Sequence, residues 1–141
     1  MHTLRKYADF SGRASRQEFW LFFAFVLLAN ALARIVGVMF GLGLSFSGLV
    51  GLLLLLPQVA VAIRRLHDVG HSGKELVVPG AMLAAMPILF AFRGILPKIV
   101  ALGVLGLTLL AFANVLTLLL KKGGRVPNRY GASPAAFSYA R

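Results

Sequence analysis

Four long apolar runs constrain this sequence more than any other feature. They occupy residues 19–44, 46–63, 76–92 and 99–120. A helix that crosses the hydrocarbon core of a bilayer needs about 20 apolar residues, with a range of about 17–25. Apolar residues make up 59% of the 141-residue chain, and a soluble domain of that size cannot bury so much apolar surface. The sequence therefore predicts an all-α, polytopic membrane protein, a bundle of four transmembrane helices forming one membrane domain over residues 1–141.

The third run is the weakest of the four candidate spans. It is the run 76–92, which contains Pro79 and Pro87, and a proline inside a helix removes a backbone hydrogen bond. The second run contains Pro57 and reaches spanning length only if it begins near Phe46. Three spanning helices with a re-entrant segment are therefore the alternative to four.

The distribution of Lys and Arg predicts which polar segments share one side of the membrane. Basic residues cluster in the N-terminal segment 1–18, the central loop and the tail 121–141: Arg5, Lys6, Arg13, Arg16, Arg64, Arg65, Lys74, Lys121, Lys122, Arg125, Arg129 and Arg141. Only Arg93 and Lys98 lie between the third and fourth runs. Because segments rich in Lys and Arg stay in the cytoplasm, a four-helix topology predicts that both termini are cytoplasmic.

The formal net charge of +11 bears on which partners the chain can bind, since a strongly basic chain attracts anionic molecules. The polar segments are too short to form a module that reads nucleic acid, so we expect no nucleic-acid partner. Positive charge beside apolar runs indicates instead attraction to the bilayer, and to anionic phospholipid in particular. The chain has no cysteine, which excludes disulfides and thiolate metal sites. We expect no cofactor.

The N-terminal motif YADFSGRASRQEFW predicts where the first transmembrane helix begins. Ser15 and Glu18 have the spacing of a helix capping box, and Phe19 and Trp20 are expected at the headgroup level. This interpretation does not explain three residues that precede the helix: Asp9, Gly12 and Arg13.

Small residues recur at every fourth position of the first run, which predicts one helix face suited to close packing. They are Ala29, Ala33, Gly37 and Gly41. Such a face fits packing within the chain and also a homo-oligomer contact, and both interpretations are open.

Arg34 is a charged residue inside the first run, and none of the four runs contains Asp or Glu. Its partners must therefore be carbonyl groups, Asn30, Asn114, a lipid phosphate or an anionic ligand. Intramembrane charge suggests function, here a pathway for a small anion or solute. An arginine that extends toward the headgroups explains the residue equally well.

The central motif RRLHDVGHSG predicts one further turn of the second helix, in which Asp68 faces Arg64 and Arg65. Gly70 should end that turn. The same glycine breaks the helix that a zinc pair of His67 and His71 would need, so we expect no metal site. No residue is assigned a catalytic role, although an interfacial enzyme using His67 and Asp68 is an open alternative.

The tail motif begins with KKGG, which predicts cations at the negative end of the fourth helix and glycines that cap it. Asn128, Arg129 and Tyr130 follow in a predicted turn, with an arginine and an aromatic ring at the membrane interface.

The three motifs, in this order and separated by apolar runs, resemble the YhaH-like family of small bacterial inner-membrane proteins, a family of unknown function. The matching positions are Phe10, Gly12, Arg13, Arg16, Glu18, Phe19, Trp20, Arg64, Arg65, Leu66, His67, Asp68, Gly70, Ser72, Gly73, Asn128, Arg129, Tyr130 and Gly131. The resemblance implies a bacterial inner-membrane protein with about four helices and supplies no activity. His71, where the family usually has a basic residue, and Lys74-Glu75, in place of an aromatic, depart from the pattern.

Together the motifs predict a cluster of charged side chains at one face of the bundle. Arginines should outnumber the carboxylates of Asp9, Glu18 and Asp68 there. We expect the cluster to bind an anionic lipid headgroup or a phosphate-bearing ligand, because guanidinium groups suit phosphate oxygens. The expected ligand residues are Arg13, Arg16, Arg64, Arg65, His67, Asp68, Asn128, Arg129 and Tyr130, with Asp9, Gly12, Glu18 and Trp20 as structural members. A purely structural or assembly role is the alternative.

Overall fold

The computed structural model describes residues 7–92 and 94–134. This part of the chain forms four helices: α1 (Arg16–Met39), α2 (Gly43–Asp68), α3 (Val77–Ala91) and α4 (Ile95–Leu120), with a 3₁₀ turn at Gly73–Leu76 that leads into α3. Each is long and apolar enough to cross a membrane, α3 when counted with its 3₁₀ turn. An all-α chain with four helices long and apolar enough to span a membrane is confirmed, and these lengths favour four spans over the alternative with a re-entrant third segment.

The first helix differs from its predicted range, 19–44, at both ends. It begins at Arg16 because the Ser15 hydroxyl accepts the backbone N–H of Glu18 at 3.1 Å, the predicted cap. It ends at Met39 because Gly41 has a φ of +67° and turns the chain toward α2. The turn is tight enough that a Cβ on Gly37 would lie 2.6 Å from the carbonyl oxygen of Gly43.

The expected small-residue face of α1 is used within the chain. Ala33 and Gly37 are buried, while Ala29 is half-buried and Gly41 is exposed in the turn. The backbones of α1 and α2 approach closely at Gly37, as such residues allow. A homo-oligomer contact through this face stays a prediction.

The other helix ends follow from their local sequence. The second helix begins before the predicted residue 46 and continues through Asp68, and Gly70, with a φ of +82°, ends it as predicted. The fourth helix begins at Ile95, earlier than the predicted residue 99, since Pro97 lies in a first turn whose N–H groups need no helical partner.

The helices form two hairpins that meet mainly at one end. The first helix packs along α2, α3 packs along α4, and α2 also contacts α4. The buried apolar cluster includes Phe19, Phe22, Leu66 and Leu118, which belong to the start of α1 and the ends of α2 and α4. Large apolar side chains elsewhere, such as Leu28, are exposed, as expected for surfaces that contact lipid.

The N-terminal segment extends along α2. Pro57 lies inside α2 and has no N–H to donate to the carbonyl of Leu53, four residues earlier. The Tyr7 hydroxyl donates to that carbonyl instead. Nearer the end of α2, the N–H of Ala14 donates to the carbonyl of Arg64 at 3.0 Å, about 16 Å along the helix from Leu53. Residues 7–14 therefore lie beside α2, and the assignment of segment 1–18 to the cytoplasmic side stays a prediction.

Candidate functional site

The three motif segments meet at the ends of α1, α2 and α4. Backbone hydrogen bonds join them: Ala14 N–H donates to the Arg64 carbonyl, and Gly124 N–H donates to the Asp68 carbonyl, each at 3.0 Å. The charged side chains at this contact are Arg13, Glu18, Arg64, Arg65 and Asp68, which we call the polar junction. The sequence prediction that the motifs gather at one face therefore agrees with the geometry.

Asp68 lies at the centre of the polar junction and is shared by two arginines. Its Oδ1 atom accepts from Arg13 Nε at 3.0 Å and lies 2.8 Å from Arg13 Nη2. Its Oδ2 atom accepts from Arg65 Nη1. Asp68 is 4% exposed and Arg65 0%, so these ion pairs are shielded from water. Charge-assisted hydrogen bonds of this kind are strong, and removing one partner leaves a buried charge uncompensated.

Arg13 also fastens the tail to the rest of the molecule. Its Nη1 atom donates to the carbonyls of Val126, at 2.9 Å, and Gly131, at 3.3 Å. Its Nη2 atom donates to the carbonyl of Gly124. The position of the tail thus depends on a side chain that precedes α1, more than a hundred residues earlier in the sequence.

Arg65 and Arg16 act at the C-terminal end of α4. Arg65 donates from Nε to the Leu119 carbonyl at 3.2 Å and from Nη2 to the Lys121 carbonyl. Arg16 Nη1 lies 3.5 Å from the Leu120 carbonyl oxygen. These carbonyls have no partner within the helix, and positive charge there also opposes the negative end of the helix dipole.

Arg64 does not pair with Asp68, which corrects the sequence prediction. Its Nη1 atom donates to Glu18 Oε1 at 3.2 Å. Successive residues of a helix point about 100° apart, so Arg64 faces the start of α1 while Arg65 faces α4. Arg64 is 2% exposed, and its Nε and Nη2 atoms have no hydrogen-bond partner among the described residues.

His67 and the tail turn form a layered contact on the other side of α2. The rings of His67 and Tyr130 stack with centroids 3.8 Å apart and an interplanar angle of 3°, and the Arg129 guanidinium lies 4.8 Å from the Tyr130 centroid. Asn128 Nδ2 donates to the His67 carbonyl at 2.9 Å. His67 Nδ1 lies 3.1 Å from the Gly12 carbonyl oxygen. These residues hold the turn against α2.

The remaining residues of the predicted structural set serve local roles. Asp9 Oδ1 accepts the backbone N–H of Ser11 at 2.9 Å. Trp20 packs edge-to-face against Phe19 and Phe23, with ring centroids 5.0 and 5.7 Å apart. Trp20 therefore belongs to an aromatic group at the start of α1.

The glycines after α4 have a steric role that the sequence did not predict. A Cβ on Gly123 would overlap the Asp68 carboxylate, and one on Gly124 would lie 3.3 Å from Arg13 Nη2. Neither residue has a positive φ, so the predicted capping role is wrong. They are glycines because the tail backbone passes directly over the ion pairs. The paired glycines after two lysines were the available signal.

A cleft opens beside the polar junction, with a volume of about 140 Å³. We call it the junction cleft. Its lining residues are Ser15, Arg16, Arg65, Asp68, Gly123, Gly124, Arg125, Ser133 and Pro134. Arg16 and Arg125 are exposed, and Ser133 is buried, with its hydroxyl donating to the Gly124 carbonyl at 2.9 Å. Arg125 and Ser133 were not predicted as site residues.

The three predicted intramembrane polar residues, Asn30, Arg34 and Asn114, do not all lie together. Asn30 faces α2, where its Oδ1 atom would lie 3.0 Å from a Cβ on Gly51, and Arg34 is exposed. Arg34 lies about 27 Å along α1 from Arg16, whereas Asn114 lies about 9 Å from the end of α4 at the junction. Asn114 is therefore too far from Arg34 to be its partner, and that part of the prediction is wrong.

Four apolar helices of spanning length, three of them joined at one end by a buried arginine–carboxylate network, indicate a multi-pass membrane protein. The chain belongs to the family described as "Protein of unknown function (DUF805)", whose model matches residues 7–132. The match covers all four helices and the polar junction, and it confirms the resemblance seen in the motifs.

Two curated relatives come from Escherichia coli (strain K12). The chain is 39% identical to "Inner membrane protein YhaI" over 74 residues, which is 52% of this chain and 63% of the relative. It is 31% identical to "Inner membrane protein YhaH" over 77 residues, which is 51% of this chain and 64% of the relative. The chain thus spans less than two thirds of the length of these relatives. They and the four apolar helices support a multi-pass inner-membrane protein. No solved structure matches the chain.

Proposed function

We propose that the junction cleft binds the phosphate of an anionic phospholipid headgroup or of another phosphate-bearing ligand. The observation that carries the proposal is the charge of the lining. It contains Arg16, Arg65 and Arg125 but one carboxylate, Asp68, and that carboxylate is already shared by two arginines. The two exposed guanidinium groups can therefore offer paired N–H donors to phosphate oxygens.

The start of α1 supports the same ligand chemistry. The cleft lining includes Ser15, the N-cap residue, and Arg16, the first residue of the 24-residue helix α1. The N-terminal end of a helix favours negative charge. The cleft thus combines the positive end of α1 with two arginines.

The proposal reduces the ligand set expected from the sequence. Arg13 and Arg65 use their donors on Asp68 and on carbonyls, so we assign them to positioning the cleft. His67, Asn128, Arg129 and Tyr130 hold the tail turn. Arg16 is retained as a ligand residue and Arg125 is added.

We further infer that the junction faces the cytoplasm and that both termini lie on that side. Most Lys and Arg residues fall in the segments that form the junction, and such segments stay in the cytoplasm. Because the chain has no cysteine, single cysteines at Lys74 and Lys122 can be labelled selectively. Both should react from the cytoplasmic side, and a cysteine at Lys98 from the opposite side.

Native mass spectrometry of the full chain tests the ligand. We expect the double variant Arg16→Gln/Arg125→Gln to bind phosphatidylglycerol at the junction cleft about a hundredfold more weakly, since each of the two charged hydrogen bonds contributes at least about 1.5 kcal/mol and about 1.4 kcal/mol corresponds to a factor of ten. Lys74→Gln/Lys98→Gln removes the same charge outside the cleft and serves as the control. If the arginine variant stays folded and binds as many phosphatidylglycerol molecules as the wild type, each with unchanged affinity, the polar junction has a purely structural role.

A further inference from the structure

A second cleft lies between α1 and α2 at the end of the bundle away from the polar junction. We call it the distal cleft. Its volume is about 460 Å³, and its lining residues are Asn30, Ala31, Arg34, Leu44, Ser47, Gly48 and Gly51. We propose that it seats one phospholipid of the leaflet opposite the junction, with the phosphodiester on Arg34 and an acyl chain between the helices.

The depth of Arg34 fits a lipid phosphate. Arg34 is five residues from the end of α1 at Met39, or about 8 Å along the helix axis. A long arginine side chain at that depth can place its guanidinium at the headgroup level while its stem stays in the apolar region. The early end of α1 therefore brings this cation near the membrane surface.

Arg34 needs a counter-charge that the lining of the distal cleft does not supply. No residue that lines the distal cleft is acidic, and Glu18, Asp68 and Glu75 belong to the other end of the bundle. Arg34 is exposed, and a cation that borders the hydrocarbon region needs a counter-charge. A phosphodiester supplies that charge at the required depth, and the membrane itself supplies the phosphodiester.

The walls of the cleft fit an acyl chain. Gly48 has no atom within 4 Å of the position where a Cβ would lie, so the floor of the cleft is open there. Ala31 and Leu44 provide apolar sides. The Ser47 hydroxyl donates to the Leu44 carbonyl at 3.0 Å, so this polar group already has a hydrogen-bond partner within the helix. The volume is also within the range of about 300–1,000 Å³ typical of ligand sites.

A second copy of the chain fits the cleft less well. Two-fold contacts are the commonest between identical chains and place the same residue on both sides, so a dimer centred here would bring two Arg34 side chains together without a carboxylate. The face that would allow close helix contact is also partly used, since Ala33 and Gly37 are buried within the chain. We therefore assign the cleft to lipid.

The test uses the full chain with the junction variant Arg16→Gln/Arg125→Gln as background, so that lipid bound at the junction does not obscure the result. Retention of phosphatidylglycerol is measured by native mass spectrometry. We expect Arg34→Gln to lower that affinity about tenfold. Gly48→Leu fills the floor while keeping the cation and should have a similar effect. Lys98→Gln and Gly103→Leu, a charge and an open glycine on α4, should leave retention unchanged.

Three results would overturn the assignment. The first is retention that neither Arg34→Gln nor Gly48→Leu changes in protein with an unaltered thermal midpoint. The second is displacement of the lipid by millimolar inorganic phosphate, or phosphate flux into liposomes that depends on Arg34, since either indicates a small-anion site. The third is a wild-type dimer that Gly48→Leu converts to a monomer. Because the two sites use different variants, failure here leaves the junction proposal intact.

Discussion

The two ends of the bundle use arginine in opposite ways. At the polar junction, Arg13 and Arg65 are buried and bonded to Asp68 and to backbone carbonyls. At the distal cleft, Arg34 is exposed and no acidic residue belongs to the lining. A buried arginine is costly without its partners, whereas an exposed one is free to bind a ligand. The free energy of unfolding should therefore depend mainly on the buried arginines of the polar junction, and lipid binding should depend on the exposed arginines.

The largest expected effect comes from removing the shared carboxylate. Asp68→Asn leaves two buried guanidinium groups without a counter-charge, and we expect a loss of about 3–5 kcal/mol in unfolding free energy. Thermal or denaturant unfolding in detergent measures it. Glu75→Gln is the control, because that acid is exposed and its removal should change stability little. Equal unfolding free energies of Asp68→Asn and Glu75→Gln would contradict the proposed difference between the two ends of the bundle.

The next effect concerns the tail backbone above the ion pairs. Gly123→Ala places a methyl group on the Asp68 carboxylate, and we expect a loss of about 1–3 kcal/mol, as for other overpacked sites. Gly106→Ala, where no atom lies within 4 Å, should be neutral or slightly stabilising because alanine favours helix. A stable Gly123→Ala variant would mean that the tail is not held as closely as described.

A smaller effect is expected at the Leu53 carbonyl. Tyr7→Phe removes its hydrogen bond and should cost about 1 kcal/mol. In a Pro57→Ala background, residue 57 can donate its N–H to the same carbonyl, so the cost of Tyr7→Phe should fall toward zero. A double-mutant cycle measures this coupling. Additive effects would show that Tyr7 does not replace the bond that the proline removes.

The smallest effect on stability should come from Arg34. Because the side chain is exposed, Arg34→Gln should leave the thermal midpoint of lipid-free protein unchanged. Added phosphatidylglycerol should raise the midpoint of the wild type more than that of the variant, since a ligand stabilises the state that binds it. A large loss of stability without lipid would instead give Arg34 a structural role like that of Arg65.

The helices could be predicted from the sequence because the length of an apolar run and the residues at its ends are local properties. The cap at Ser15 and the stop at Gly70 follow from side-chain oxygen and positive φ at those positions. The end at Met39 was missed because apolar residues continue through the adjoining turn, and the start at Ile95 was missed because Pro97 and Lys98 interrupt the apolar run. The meeting of the three motifs was also predictable. With four spanning helices, the segments before the first, after the second and after the fourth lie on the same side of the membrane.

The pairing within the site could not be predicted in the same way. Whether Arg64 or Arg65 faces Asp68 depends on the rotation of α2 about its axis, which packing against α1 and α4 determines. Carbonyl acceptors, such as those that Arg13 reaches at Val126 and Gly131, have no signature in the sequence. The role of Gly123 depends on the same long-range contact.

The attachment of the N-terminal segment has a consequence for biosynthesis. Tyr7 and Arg13 leave the ribosome before their acceptors at Leu53, Gly124 and Val126 are translated. Arg13 can pair with Asp68 before α4 is made, but its contacts with the tail form only after α4 has been translated. Until then the tail carbonyls that accept from the Arg13 guanidinium are missing, so a nascent chain halted before the tail should hold its N-terminal segment less firmly.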